Sequence, residues 1–333
     1  MISEPTIDTR RVNPDDGARL MSIAAEFAAR YRAPDSAEFC SAINNCLREV
    51  LPSSILELCT PPRGAATVLD RLPVDDSRHG PTPRSWVEAQ DCPALGFAMA
   101  MIGAAIGEPF GWAGQQEGRL VNSIVPTPGH ENEQTGASSS VLLSPHTEDA
   151  FHPDRAHLIM LGCIRNRDSI GTTLASIRDV LAGDHLSADD VAHLRQPECP
   201  ILPDDSYVGG DEAGRPSPVG TVWQREDGAC LRYDPAYTPD ASARPAWASA
   251  YAKLESGLAA VSKIVALEPG QILLLDNDVA VHGRVPFTAR FDGTDRWLLR
   301  LNIKLSHRLR PAAEAFEPGF GQVVVRPYAG ALV

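Results

Sequence analysis

The stretch Thr294-Asp295-Arg296-Trp297-Leu298-Leu299-Arg300-Leu301-Asn302-Ile303 constrains the fold more than any other part of the chain. A strand here would place Arg296, Leu298, Arg300 and Asn302 on one face and Trp297, Leu299, Leu301 and Ile303 on the other. The apolar row needs a core. For the arginine row two readings stand: the guanidinium groups face solvent, or they face a cavity where anions meet them, because a buried guanidinium is costly alone and fits a carboxylate bidentately. Two further runs, Leu158-Ile159-Met160-Leu161-Gly162-Cys163-Ile164 and Ile272-Leu273-Leu274-Leu275, are continuously apolar, and the first suits a strand buried on both faces.

A second stretch bears on chemistry. In Leu143-Ser144-Pro145-His146-Thr147-Glu148-Asp149-Ala150-Phe151-His152-Pro153, two good metal ligands, His146 and Glu148, stand two apart. If the run Ser140-Val141-Leu142-Leu143 before them is a strand, its period of two points both side chains to one face, with Cα atoms about 6.5 Å apart. An imidazole and a carboxylate at that spacing can converge on one ion. Surface strands carry such pairs without binding anything, so the arginine strand and a third ligand matter. The candidate is His282, in Asp276-Asn277-Asp278-Val279-Ala280-Val281-His282-Gly283-Arg284. Two histidines and a carboxylate suit non-haem Fe(II) with open positions. His152 rivals His146, but its offset of four from Glu148 requires an unbent strand, and Pro153 suggests a bend.

The run from His146 to Pro153, the run Phe110-Gly111-Trp112-Ala113-Gly114-Gln115-Gln116-Glu117-Gly118-Arg119, and His282-Gly283-Arg284 with Arg290-Phe291-Asp292-Gly293-Thr294-Asp295-Arg296-Trp297-Leu298 resemble the clavaminate synthase-like branch of the Fe(II)/2-oxoglutarate-dependent oxygenases, of the TauD-type superfamily. That branch includes arginine, asparagine and enduracididine β-hydroxylases of peptide-antibiotic biosynthesis. The likeness implies a mainly β chain with flanking helices around a double-stranded β-helix (jelly-roll, cupin-like) core. It implies iron held by His146, Glu148 and His282, and Arg296 gripping the distal carboxylate of 2-oxoglutarate. A threonine shares that grip in the family; Thr172 or Thr173 is the counterpart here, with β-propensity as the bland alternative.

The same resemblance assigns the substrate's amino-acid head to Gln115 or Gln116 and to Ser138, a solvated amide and a capped turn being the alternatives. Arg300 goes to the substrate's α-carboxylate, which sets Cβ against the iron. Acidic residues that contact a guanidinium in the arginine-hydroxylating relatives point to Asp204, with Ser206 in the same segment, and to Asp234. Asp-Asp-Ser and Asp-Pro are also ordinary turn sequences. The implied activity is hydroxylation at C3 of a free L-amino acid, arginine or an arginine-like one first, with 2-oxoglutarate and O₂ as cosubstrates and succinate and CO₂ released. Asparagine or another polar or carrier-bound amino acid stands behind it, and the family also desaturates and cyclises. A reading from another class is a jelly-roll protein that binds metal or a small molecule without turnover; the intact triad plus Arg296 speaks against it. A hydrolytic zinc enzyme is weaker still, since the motif offers no general base beyond its own ligands.

Composition sets outer limits. The 333 residues, 43% hydrophobic, are enough for a single oxygenase domain over 1–333, with a helical N-terminal part at 1–110, a jelly-roll core at 118–310 and a lid insertion at 180–230. A net charge of −13 argues against a nucleic-acid partner and suits a small-molecule substrate. Seven cysteines, odd in number and without CxxC spacing, indicate neither a disulfide framework nor a zinc ribbon and fit a reducing cytoplasm. No apolar run reaches membrane length. Helices are expected over 13–33, capped by Asn13, from Ser36 until Pro52 stops it, from Pro93 to near Gly107, over Ala188 to Arg195, and from Pro245. The strand Arg119–Val125 is expected to open the core, and a Pro-, Gly- and Asp-rich segment through Gly220 to serve as a lid.

Overall fold

The computed structural model describes residues 6–89, 91–207, 217–239 and 241–328, with backbone only at Asn45. Helix α1 (Pro14–Arg30) starts where the sequence asks it to: the Asn13 side chain accepts from the amides of Asp15 and Asp16, and Pro14 takes the first turn. Helix α2 (Ala37–Val50) follows. Pro52 does not simply end it but opens an unexpected short helix, α3 (Ser53–Leu58). Helix α4 (Ala94–Ile106) is buried almost all round, from Leu95 to Ala104, as its Ala- and Met-rich composition requires.

The strands are β1 (Ile7–Arg11), β2 (Ala66–Asp70), β3 (Glu108–Trp112), β4 (Val121–Ile124), β5 (Leu143–His146), β6 (Leu158–Arg165), β7 (Thr172–Ser176), β8 (Val222–Arg225), β9 (Gly228–Leu231), β10 (Lys263–Val265), β11 (Ile272–Asp276), β12 (Ala280–Arg284), β13 (Trp297–Lys304) and β14 (Val324–Val325). The major sheet runs β1-β2-β11-β6-β13-β3-β14, with β4 also on β13; the minor sheet runs β10-β7-β12-β5. This is the jelly-roll core with flanking helices.

Alternation explains the layers. One face of β6, β11 and β13, carrying Leu158, Met160, Ile272, Leu274, Leu299, Leu301 and Ile303, packs on α1, α2 and α4. The opposite residues, Ile159, Leu161, Leu273, Leu275 and Leu298, turn inward and share a cluster with Leu174 and Ala280 of the minor sheet. The N-terminal part is therefore more than helical, because β1 pairs in parallel with β2 and β2 pairs with β11, extending the major sheet.

The expected lid region also resolves into other things. Helices α5 (Ile177–Ala182) and α6 (Ala188–Leu194) and the β8–β9 hairpin pack with α7 (Pro245–Val261) through Val180, Leu194, Val222, Leu231, Trp247, Leu254 and Leu258, forming a side wall. Residues 208–216 of the expected lid lie outside the described residues. Among the described residues no helix is long and apolar enough to cross a membrane.

Candidate active site

Strand β12 lies between β7 and β5, and its register sets His282 directly opposite His146. Gly283 makes this possible: a Cβ there would lie 2.3 Å from the Leu143 carbonyl oxygen, so a larger residue would push β5 away. Glu148 does not share the strand with His146, because β5 starts only at Leu143 and ends at His146. The carboxylate arrives from the turn that follows. Asn277, just before β12, fixes that turn by accepting from the Glu148 amide (2.8 Å) and donating to the Glu148 carbonyl (3.0 Å). The Thr147 amide donates to the Tyr233 carbonyl at 2.7 Å.

The result is convergence. Ligand atoms of His146, Glu148 and His282 all lie within 4.8 Å of one another. Glu148 Oε2 is 3.8 Å from His146 Nε2 and 3.3 Å from His282 Nε2. His146 Nδ1 donates to the Ser144 carbonyl at 2.8 Å, leaving Nε2 facing the carboxylate, the usual orientation of an imidazole ligand. Burial opposes charge on both histidines, yet Glu148 and Asp234 carry His146 up to about 9, while His282 is pushed down. Glu148, although buried, is held well below the usual carboxylate range by Arg300 and the two histidines. The donor set fits non-haem iron, with three protein ligands and room for others.

That room is a cavity of about 580 Å³, lined among others by Gln115, Ser123, His146, Glu148, Thr172, Asp204, Ser206, His282, Arg284, Arg296 and Arg300. The arginine row of β13 thus faces inward. Arg296 is only 9% exposed, has no carboxylate near it among the described residues, donates to Thr172 Oγ1 at 2.9 Å, and leaves its buried Nε without a partner there. Burial pushes it down to about 10, and Arg284, also without an acid, is its charged neighbour. A dianionic keto acid is what two such groups lack. Three converging metal-ligand side chains beside an acid-free buried guanidinium are features that an Fe(II)/2-oxoglutarate-dependent dioxygenase requires.

The comparisons agree. Residues 94–302 match the family described as taurine catabolism dioxygenase TauD, TfdA family, and the chain belongs to it. It is 35% identical to an enduracididine β-hydroxylase of Streptomyces hygroscopicus over 92% of this chain and 96% of that one. It is 35% identical to an L-asparagine oxygenase of Streptomyces coelicolor, over 90% and 92%. The solved non-haem iron oxygenase OrfP, in complex with Fe, succinate and (3S)-hydroxy-L-Arg, superposes with a TM-score of 0.79 at 31% identity, covering 89% of this chain and 94% of that one.

The remaining expected residues divide. Gln115 accepts from Arg300 and donates to Ser206 Oγ at 3.0 Å, so these three meet in the cavity. Gln116 instead clamps the Ser123 backbone, accepting from its amide (2.9 Å) and donating to its carbonyl (3.0 Å), so its amide is spent on the fold. The Ser138 hydroxyl turns to the Thr135 carbonyl (2.8 Å) and to Arg284 (3.0 Å), away from the cavity. Thr172 meets Arg296, whereas Thr173, its neighbour on the strand, points the other way with an unpartnered hydroxyl beside Gly283. Asp204 lines the cavity, and Asp234 acts on the charge of His146. His152 stays out of the triad, accepting from the Asp154 amide at 2.9 Å.

Sequence reasoning missed Asn122, which accepts from Arg300 at 3.2 Å, Asn277, Arg284 and Asp149. Asp149 accepts from Trp112 Nε1 at 2.7 Å and from the Tyr207 hydroxyl. Burial and Glu148 push its carboxyl up to about 7. Arg284 carried a signal, standing two residues after His282 on the same strand face.

Proposed function

We propose that His146, Glu148 and His282 hold the iron, that Arg296 with Thr172 receives the distal carboxylate of 2-oxoglutarate, and that the enzyme hydroxylates a free L-amino acid with a cationic side chain, arginine or an arginine-like one, at C3. Two carboxylates, a half-buried Asp204 and a buried Asp234, carry the substrate reading. Burial raises both Asp204 and Asp234, the latter to about 6, and neither forms a salt bridge with a cationic side chain among the described residues. Asp234 feels Asp204 and His146, and Asp204 feels Glu148, so both stand near the triad. A guanidinium between them would neutralise both, and a neutral side chain would leave them unpaired. OrfP binds a hydroxylated arginine, which supports the same choice.

Iron, 2-oxoglutarate and O₂ together supply the oxidant: the keto acid leaves as succinate and CO₂, and one oxygen atom enters a C–H bond. The chain's part is placement. Arg300, kept charged by Glu148 and Asp149 despite burial, donates to Glu148 and is held in plane by Gln115 and Asn122, and from there its guanidinium would meet the substrate's α-carboxylate. With the head held there and the side-chain cation drawn toward Asp204 and Asp234, the β-carbon faces the triad. None of the seven cysteines is in a disulfide, which suits a reducing cytoplasm.

A second reading takes asparagine as substrate. It rests on the 35% identity to an asparagine oxygenase and on Asp234 Oδ1 already accepting from the amides of Ala236 (3.1 Å) and Tyr237 (3.3 Å), as a turn former does. Incubation with Fe(II), ascorbate, 2-oxoglutarate and each common amino acid, read by a mass gain of one oxygen, separates the two. Arginine is expected to be the best substrate. Asp234→Asn should cut its kcat/KM about tenfold or more and leave neutral amino acids unchanged. Preference for asparagine in the unaltered protein would replace the first reading by the second.

A further inference from the structure

The segment Asp204–Tyr207 bears on the site through Asp204, Ser206 and Tyr207, of which the substrate reading uses only the first. Asp204 faces the cavity, and Ser206 Oγ accepts from Gln115. Tyr207 goes elsewhere. Its ring packs against Phe151 at 4.8 Å and Trp112 at 6.1 Å between centroids, and its hydroxyl donates to Asp149 Oδ1. Asp149 Oδ2 takes the Trp112 indole N–H at 2.7 Å and the Asn302 amide at 3.4 Å.

Asp149 is the residue after Glu148, and its backbone is left-handed, with φ of +54°. A non-glycine residue holds that conformation only where its surroundings over-determine it. Here a β3 residue, a β13 residue and Tyr207 all donate to one buried side chain, and that side chain fixes the turn that delivers Glu148.

We propose that Tyr207 is a positioning residue that couples the substrate-facing segment to the iron carboxylate. Its hydroxyl, through Asp149, sets the turn carrying Glu148, while its neighbours Ser206 and Asp204 shape the wall against which the amino acid lies. Docking this one segment therefore completes the amino-acid pocket and the metal pocket together. The inference rests on the metal and substrate reading given above.

Tyr207→Phe keeps the ring and removes the hydroxyl. Calorimetric titration of the protein with Mn(II), without substrates, should show affinity reduced about tenfold, the effect of losing an outer partner of a ligand. In Fe(II) assays the KM for the amino acid should rise, the KM for 2-oxoglutarate should not, and 2-oxoglutarate consumption should run ahead of hydroxylation. Ser206→Ala, which breaks only the Gln115 contact, should raise the amino-acid KM without altering Mn(II) affinity. Asp149→Asn combined with Tyr207→Phe should bind Mn(II) no more weakly than the worse single variant, since both cut one linkage. Unchanged Mn(II) affinity in Tyr207→Phe, or additive losses in the pair, would overturn the coupling while leaving the metal site in place. Mn(II) binding indifferent to His146→Ala would instead remove the metal reading and the coupling with it.

Discussion

Strand β13 runs between two clusters of buried arginines that differ in what they face. At its start, Arg296 and nearby Arg284 meet no carboxylate among the described residues, and their hydrogen bonds go to Thr172, the Ser138 hydroxyl and the carbonyls of Ser138 and Val141. Beyond its end, every cation meets an acid. Arg155, fully buried, holds Glu314 bidentately at 2.7 and 3.2 Å; Arg232 holds Glu317 at 2.8 and 3.0 Å; Arg308 and Arg310 pair with Asp276 and Asp278, each at 2.8 Å. The larger cleft of the molecule, about 1130 Å³, lies at this second end, and its Lys304 and Arg310 are paired to Asp154 and Asp278. Cavity size is thus a poor guide here. At the second end each cation is buried with its acid and serves the fold; Arg296 and Arg284 are buried without one and suit an incoming anion, while Arg300, between the two ends, pairs with Glu148 inside the cavity itself.

The largest test of this contrast is at the first end. His282→Ala should abolish iron-dependent succinate formation while thermal unfolding stays close to that of the unaltered chain, because the triad binds a ligand rather than the core. Full retained turnover would remove His282 from the metal set. Next comes a paired substitution. Arg155→Met removes Glu314's bidentate partner, leaving only Arg232 at 3.9 Å, and should cost about 2–4 kcal/mol in denaturant unfolding. Arg296→Met removes a buried guanidinium that has no acid to lose, and should leave stability unchanged or raise it by about 1 kcal/mol while ending 2-oxoglutarate turnover. Equal losses of stability in the two variants would erase the distinction.

What could be read in the chain follows the same division. The β13 alternation was legible because its two rows differ so sharply in chemistry, and the triad because its motif is long. The route by which Glu148 reaches the ion was not. The period-of-two argument assumed a strand through both ligands, whereas the strand stops at His146 and Asn277, 129 positions away, holds the next turn. Thr172 and Thr173 could not be told apart without the register that opposes Thr172 to Arg284 and Thr173 to Gly283. Between Gln115 and Gln116, both of which line the cavity, and for Ser138, sequence could not show which amide or hydroxyl is spent on backbone groups, because such groups look in sequence like those left for a ligand. Strand β1 escaped notice because Ile7-Asp8-Thr9-Arg10-Arg11 is polar for a strand, and only its parallel partner β2 makes it one.

At the paired end, His152 offers a pH test. It is neutral by construction: Nδ1 accepts from the Asp154 amide and Nε2 donates to the Gln322 carbonyl, so a second proton would have to break the first bond. Burial pushes it down to about 4 from its ordinary 6.5. A histidine lowered on folding gives stability that is complete above 6.5 and lost as pH falls toward 4, a change of up to about 3 kcal/mol. His152→Phe should flatten the acid limb of the stability curve over that window. Gly319, with φ of +57°, leaves the ring its space, since a Cβ there would lie 2.3 Å from Nε2. Gly319→Ala should therefore loosen the C-terminal segment, read as faster amide exchange around Gln322.

The smallest effect closes the contrast from the ligand's side. With Mn(II) present and O₂ excluded, 2-oxoglutarate at a hundred times its dissociation constant should stabilise the protein by about 2.7 kcal/mol. That gain should vanish in Arg296→Met and persist in Arg155→Met, measured from its lower baseline. Only the first substitution removes a cation that the keto acid would pair. If succinate, which carries two carboxylates but no keto oxygen, stabilises as strongly as 2-oxoglutarate, the anion site contributes most of the binding; a much weaker response assigns the larger share to chelation at the triad. Either way the dependence on Arg296 decides whether the acid-free end of β13 is a ligand site or an unpaired cost of the fold.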